Sequence, residues 1–108
     1  MTTSIPVVVA GALGRMGAEV IKAVVGATDC TLVGAVDNTP GKEGCDVGLE
    51  LGLGELEVAI TADFEGCLCA VSQSARDAQA GAVLVDFTHP SVVYEHTRAA
   101  IAYGVHPV

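Results

Sequence analysis

An α/β domain, with a parallel sheet of buried strands flanked by helices, is the fold class this sequence predicts, and three observations carry it. Apolar runs recur at 5–10, 31–36 and 82–87, each short enough for a strand buried on both faces. Segments with helical spacing, at 14–26 and 91–103, follow two of these runs, an alternation that builds right-handed parallel sheets. Half of the residues are hydrophobic yet few are aromatic, and Val, Ala and Gly dominate, a palette suited to close helix–sheet packing. At 108 residues the chain makes one domain, 1–108, with a single core. The order of strand, glycine turn and helix at its start makes this sheet Rossmann-type.

Residues 5–10 form the first strand, ending in Val7-Val8-Val9-Ala10. Gly11, Gly14 and Gly17 then mark a turn, and 14–26 forms a helix whose apolar face holds Ala18, Val20, Ile21, Val24 and Val25. Gly26 is a candidate C-cap. Thr31–Val36 is the second strand, ending at Asp37. Pro40, Gly41, Gly44, Gly48, Gly52 and Gly54 mark an irregular loop over 38–56. Leu56–Ile60 alternates and reads as a third strand. Residues 62–80 are ambiguous, with Ser72 to Ala80 helix-permissive and Ser72 or Ser74 as N-caps. Ala82–Phe87 is the fourth strand. In the helix at 91–103, Val92, Val93, His96, Ala99, Ala100 and Tyr103 share a stripe, and Pro90 suits the first turn. Gly104 to Val108 reads as a helix stop followed by a new strand that is cut off, so the chain is expected to be a fragment of something longer.

Composition excludes several classes of function. A net charge of −8 disfavours nucleic acid and anionic membranes as partners, since both need basic surface. No apolar stretch approaches the roughly 20 residues of a membrane span. No basic segment precedes the first apolar run, so no signal peptide is expected. The cysteines at 30, 45, 67 and 69 lack metal spacing and are expected as buried or semi-buried free thiols, a disulfide or metal site being the alternative. Free thiols without an export signal point to the cytosol.

The chemistry concentrates in three places. The glycine loop after the first strand is a phosphate cradle in dinucleotide-binding units. There the first glycine allows the turn, the second lets backbone approach a pyrophosphate, and the third lets helix pack on strand. Its spacing is GxxGxxG, with Leu13 in the usual second glycine position; a purely structural turn is the bland reading. Asp37, twenty residues past Gly17, either accepts hydrogen bonds from adenosine ribose hydroxyls or forms a turn in Asp-Asn-Thr-Pro-Gly. A carboxylate there repels a ribose 2′-phosphate and favours NAD, whereas Arg15 is either a phosphate ligand or a solvated surface residue. Asp86-Phe87-Thr88-His89-Pro90 lies at the end of the fourth strand, the edge where ligands bind in open parallel sheets. Thr88 is a candidate ligand to ribose or phosphate, Phe87 an apolar wall, and His89, which precedes a proline in a loop, a structural or cofactor-edge residue, an acid–base group being the alternative. His96 and His106 are weaker candidates. No nucleophile–histidine arrangement or carboxylate pair stands out locally.

Val-Ala-Gly-Ala-Leu-Gly-Arg-Met-Gly at 9–17, Gly-Ala-Val-Asp at 34–37, Val-Asp-Phe-Thr-His-Pro at 85–90 and Ala-Tyr-Gly-Val-His-Pro-Val at 102–108 together resemble the dihydrodipicolinate (4-hydroxy-tetrahydrodipicolinate) reductase family, in the form of its cyanobacterial members. The resemblance runs the length of the chain. It implies an enzyme that reduces a cyclic intermediate of diaminopimelate and lysine biosynthesis with NADH or NADPH, typically as a homotetramer. It implies that Gly11, Ala12, Leu13, Gly14, Arg15 and Met16 wrap the pyrophosphate. Asp37 would hold the adenosine ribose, and Phe87, Thr88 and His89 would line the nicotinamide side. Where many members carry an arginine for the 2′-phosphate, Asn38 stands here. The family continues with a Gly-Thr-Thr-Gly loop and a second domain bearing a His-His pair, a catalytic lysine and a Ser-Gly-Thr loop. The sheet is therefore expected to be truncated before the substrate domain, with no catalytic residue and no metal ligand within 1–108. An aspartate or homoserine dehydrogenase and a non-catalytic NAD(H) sensor are the alternative readings.

Overall fold

The computed structural model describes residues 5–78, 82–88 and 90–108. Five parallel strands lie in the order β3-β2-β1-β4-β5: β1 (Ile5–Ala10), β2 (Cys30–Val36), β3 (Ile60–Thr61), β4 (Val83–Asp86) and β5 (His106–Pro107). Four helices connect them: α1 (Arg15–Gly26), α2 (Val47–Glu50), α3 (Phe64–Ala78) and α4 (Pro90–Ala102). Strand order reverses at β1, with β2 on one side and β4 on the other.

The pleat of β1 divides the core in two. Val7 and Val9 face the side covered by α1 and α2, among Ile21, Val24, Leu32, Ala35, Val47 and Ile60. Val8 and Ala10 face the side covered by α3 and α4, among Phe64, Leu68, Val71, Leu84 and Ala100. In α1 the buried residues are Gly17, Ile21 and Val24; Val25, expected on the apolar face, is exposed. Pairing slips by one residue between Val7↔Leu32 and Val8↔Gly34, so Val33 bulges out of β2. A side chain at Gly34 would collide with Cys67 of α3, which explains a glycine inside a strand.

Several boundaries depart from expectation, each for a local reason. Gly26 does not cap α1: the helix runs through it and ends at extended Ala27, whose N–H bonds to Val24 O. The third strand is not 56–60 but Ile60–Thr61. Asp46 Oδ2 accepts the N–H groups of Leu49 (3.1 Å) and Leu56 (3.0 Å), and Oδ1 that of Val58 (3.0 Å), so a carboxylate takes donors that a ladder would use. The same aspartate caps α2, a turn of helix inside the loop expected over 38–56. Helix α3 begins at Phe64, well before Ser72, because Asp63 Oδ1 caps it through the Gly66 N–H (3.0 Å). Ser72 is therefore mid-helix, and its hydroxyl ties α3 to the end of α4 by donating to Tyr103 O (2.7 Å); Ser74 also lies inside α3. The stop at Gly104 is as expected: its φ is +74°, Gly104 N–H bonds to Ile101 O and Val105 N–H to Ala100 O, and the chain turns into β5.

The four cysteines are free; Cys30, Cys45 and Cys67 are half-buried, but Cys69 is exposed on α3. Among the described residues no helix is long and apolar enough to cross a membrane. Nor does any group of three or more His, Cys, Asp or Glu side chains there make a metal site.

Candidate dinucleotide cleft

A cleft of about 520 Å³ opens at the carboxyl ends of β1, β2 and β4, at the reversal of strand order. That is where ligands bind in open α/β sheets, and the volume is within the range of small-molecule sites. Its walls come from the glycine loop (Gly11, Leu13, Gly14), the end of β2 and the residues after it (Val36 to Thr39), Ala62 and Phe64, Phe87 and Thr88, and Val92 and His96 of α4.

The glycine loop has the construction its sequence dictates. Gly11 turns the chain out of β1 at φ +78°, and a side chain there would press on Phe87 O. The N–H groups of Gly11 and Ala12 both reach Val36 O (2.8 and 3.1 Å), pinning the turn to β2. A Cβ on Gly17 would lie 2.1 Å from Gly11 O, so only glycine lets α1 start this close to the strand. Gly14 is the N-cap of α1 and supplies no side-chain cap, which leaves the first-turn amides to another acceptor. Its Cβ would be 3.3 Å from Gly11 O, and its exposed face borders the cleft. A helix N-terminus whose N-cap residue carries no side chain fits a pyrophosphate. Ala12 is buried under the loop, whereas Arg15 and Met16 stand exposed on the first turn of α1, outside the cleft lining.

Asp37 is tied on both oxygens. Oδ2 accepts the Leu13 N–H (2.9 Å), and Oδ1 accepts the Thr39 N–H (2.9 Å) and the Thr39 hydroxyl. The turn reading of Asp37 is thus realised, and the same carboxylate fastens the glycine loop to the end of β2. Partial burial opposes its ionisation, but the Thr39 hydroxyl and the Leu13 and Thr39 amides outweigh it and hold the carboxyl below its usual range.

Asp86, at the end of β4, repeats the arrangement. Oδ1 accepts the Thr88 N–H (2.9 Å) and hydroxyl, while Oδ2 lies 2.9 Å from His96 Nδ1. The His96 ring stacks on Phe64, with centroids 3.8 Å apart and planes 16° apart. Sequence reasoning ranked His96 low because its partners lie on β4 and α3. The available signal was its place on the inward stripe of α4, below an aspartate at a strand end. His89 lies outside the described residues, and His106 falls in β5. The structure thus gathers Gly11, Leu13, Gly14, Asp37, Phe87 and Thr88 around one cleft and adds His96 to them.

Comparison with known proteins accords with this geometry. Residues 5–108 match the family described as "Dihydrodipicolinate reductase, N-terminus". The chain is 91% identical over its whole length to the 4-hydroxy-tetrahydrodipicolinate reductase of Parasynechococcus marenigrum (strain WH8102), but spans only 39% of that protein. Among solved structures, a dipicolinate-bound dihydrodipicolinate reductase from Paenisporosarcina sp. TG-14 superposes with a TM-score of 0.64 at 22% identity, over 97% of this chain and 36% of that one. The WlbA dehydrogenase of Thermus thermophilus, solved with NAD and alpha-ketoglutarate, gives 0.69 at 18% identity, over 95% and 31%. These two likenesses establish the Rossmann-type fold, which dehydrogenases of different substrates share. The choice among families rests on the match from Ile5 to Val108 and on the near-identical relative, and by these the chain belongs to the dihydrodipicolinate reductase family.

Proposed function

We propose that this chain is the NAD(P)H-binding domain of a 4-hydroxy-tetrahydrodipicolinate reductase, the enzyme that reduces a cyclic precursor in diaminopimelate and lysine biosynthesis. The observation that carries the reading is the cleft at the strand-order reversal, floored by the glycine loop and walled by Asp37. The backbone of Gly11 to Met16 cradles the pyrophosphate at the start of α1. Asp37, already ionised and held in place, takes a hydroxyl of the adenosine ribose on the remaining lone pair of Oδ2. Phe87 and Thr88 close the side of the cleft at the end of β4. When bound, the nicotinamide supplies a hydride; this domain orients the cofactor toward a substrate held by other parts of the enzyme, and none of its own residues is assigned a catalytic role.

Isothermal titration with NADH and with NADPH tests the reading. Heat from at least one is expected, and Gly14→Val, which fills the cradle, is expected to abolish it. A folded protein that binds neither overturns the proposal.

A further inference from the structure

The couple of Asp86 and His96 is not needed to hold a pyrophosphate or a ribose, yet it is built with care and lines the cleft. The Asp86 side chain is 6% exposed and that of His96 18%. Both Asp86 oxygens are used, one by Thr88 and one by His96. The imidazole is fixed by three constraints: the Asp86 carboxylate at Nδ1, the Phe64 ring against one face, and the backbone of α4. With Nδ1–H donating to a carboxylate, a neutral imidazole carries its lone pair on Nε2. A rigid acceptor at the wall of a cleft selects for a donor on the ligand.

Position says which part of the ligand meets it. Phe64 opens α3 and packs with Val36, Val8 and Ala10, over β2 and β1. Phe64, stacked on His96, thus joins the end of β4 to the end of β2, and all three border the cleft together with Asp37 and Asn38. Two large apolar side chains at this cleft remain exposed, Phe87 at 39% and Val92 at 37%. Apolar surface beside a ribose-binding carboxylate suits the flat faces of a purine, and the donor that adenine offers on its edge is the exocyclic amine.

We propose that His96, its tautomer fixed by Asp86, recognises the adenine base of the bound dinucleotide by accepting a hydrogen bond from the exocyclic amine at Nε2. The inference rests on the cofactor reading above. His96 is a base-recognition residue and Asp86 its positioning residue.

The test compares NADH with its deaminated analogue, in which hypoxanthine replaces adenine and a carbonyl replaces the amine. Both are titrated calorimetrically into the full-length protein at about pH 8. The wild-type protein is expected to bind NADH about tenfold more tightly than the analogue, the loss typical of one unmade hydrogen bond. His96→Ala is expected to erase that preference by weakening NADH alone. Asp86→Asn keeps an acceptor for Thr88 but puts an amide donor against Nδ1. This moves the imidazole proton to Nε2, and the preference is expected to vanish or to reverse toward the analogue's carbonyl. No discrimination by the wild-type protein overturns the proposal. So does a preference that survives His96→Ala, or one that Asp86→Asn leaves intact. If His96→Ala weakens both ligands equally, the couple is structural and only the base-recognition claim falls. If the wild-type protein binds neither, the cofactor reading fails and takes this one with it.

Discussion

Two glycines of the same helix should respond in opposite directions to the same substitution. Gly17 and Gly26 both lie in α1, and replacing either with alanine brings the intrinsic helix gain of at most about 1 kcal/mol. At Gly26 nothing lies within 4 Å of the added Cβ, so Gly26→Ala should stabilise the domain by about 0.5–1 kcal/mol. At Gly17 the Cβ would stand 2.1 Å from Gly11 O, where ordinary contact begins at 3.4 Å, a shortfall of 3.4 − 2.1 = 1.3 Å. The other close atoms are Gly11 C at 2.9 Å and Ala12 Cα at 3.1 Å, so no side chain can swing aside. Gly11 O is also the acceptor for Gly14 N–H, and moving it disturbs the loop that the helix start depends on. Overpacking of this kind costs about 1–3 kcal/mol in well-packed interiors, and a backbone collision belongs at the upper end. Net of the helix gain, Gly17→Ala should lose about 2 kcal/mol, leaving the two variants roughly 3 kcal/mol apart. For a domain of this size that separates their Tm values by more than about 10 °C. Urea and thermal unfolding followed by circular dichroism measure both. A Gly17→Ala protein as stable as wild type would refute the account of why α1 can start so close to β1.

Other perturbations read the rest of the molecule. Asp37→Ala should weaken NADH binding more than NADPH binding, because the carboxylate that holds a ribose hydroxyl also repels a 2′-phosphate; equal losses by calorimetry would remove the ribose role. Backbone hydrogen bonds, chiefly from Leu56, hold the Asp46 carboxyl below its usual range. Its stabilising contribution is therefore present above the unfolded-state value and is lost as pH falls through the lower folded value. Wild-type stability should decline on acidification below about pH 4. Asp46→Asn should be less stable near neutrality with a shallower acid slope, and an unchanged slope in pH-dependent urea unfolding counts against this assignment. Burial, then the charge of Asp63, pushes the Cys67 thiol up, while Cys69 is exposed. Iodoacetamide at about pH 8 should modify Cys69 at least tenfold faster than Cys67, as read by peptide mass spectrometry.

What could be read from the sequence was what is local. The first strand, glycine loop and α1 are contiguous, and each glycine's role follows from the residues beside it. The strand expected at 56–60 shows where such reading stops. The alternation there is real, since Leu56, Val58 and Ile60 turn inward while Glu57 and Ala59 do not. Alternation reports which side chains are buried, however, and not which groups the backbone bonds to; Asp46, ten residues upstream of Leu56, decides that. The start of α3 was obscured in the same way, because Gly66 reads as a breaker until Asp63 is seen to cap the turn that contains it. His96 needed the third dimension entirely, since its three partners sit on β4, in the loop after β4 and on α3.

The two strands that flank β1 end in the same short phrase, Asp37-Asn38-Thr39 and Asp86-Phe87-Thr88. In both, one carboxylate oxygen closes a turn by accepting the N–H and hydroxyl of the threonine two residues on, which fixes the side chain against its own backbone. The second oxygen is then free to act at a distance, and here the two sites diverge. At the end of β2 it takes the Leu13 N–H and so joins the glycine loop to the proposed ribose site. At the end of β4 it takes His96 Nδ1 and so orients a ring on α4. One local device therefore sets two rigid posts on either side of the glycine loop before any ligand arrives. Affinity is then not spent on ordering side chains at the moment of binding. It also explains why the cleft tolerates an irregular glycine spacing with Leu13 in place of the usual second glycine: Leu13 contributes its backbone N–H to Asp37, and that contact is indifferent to the side chain it carries.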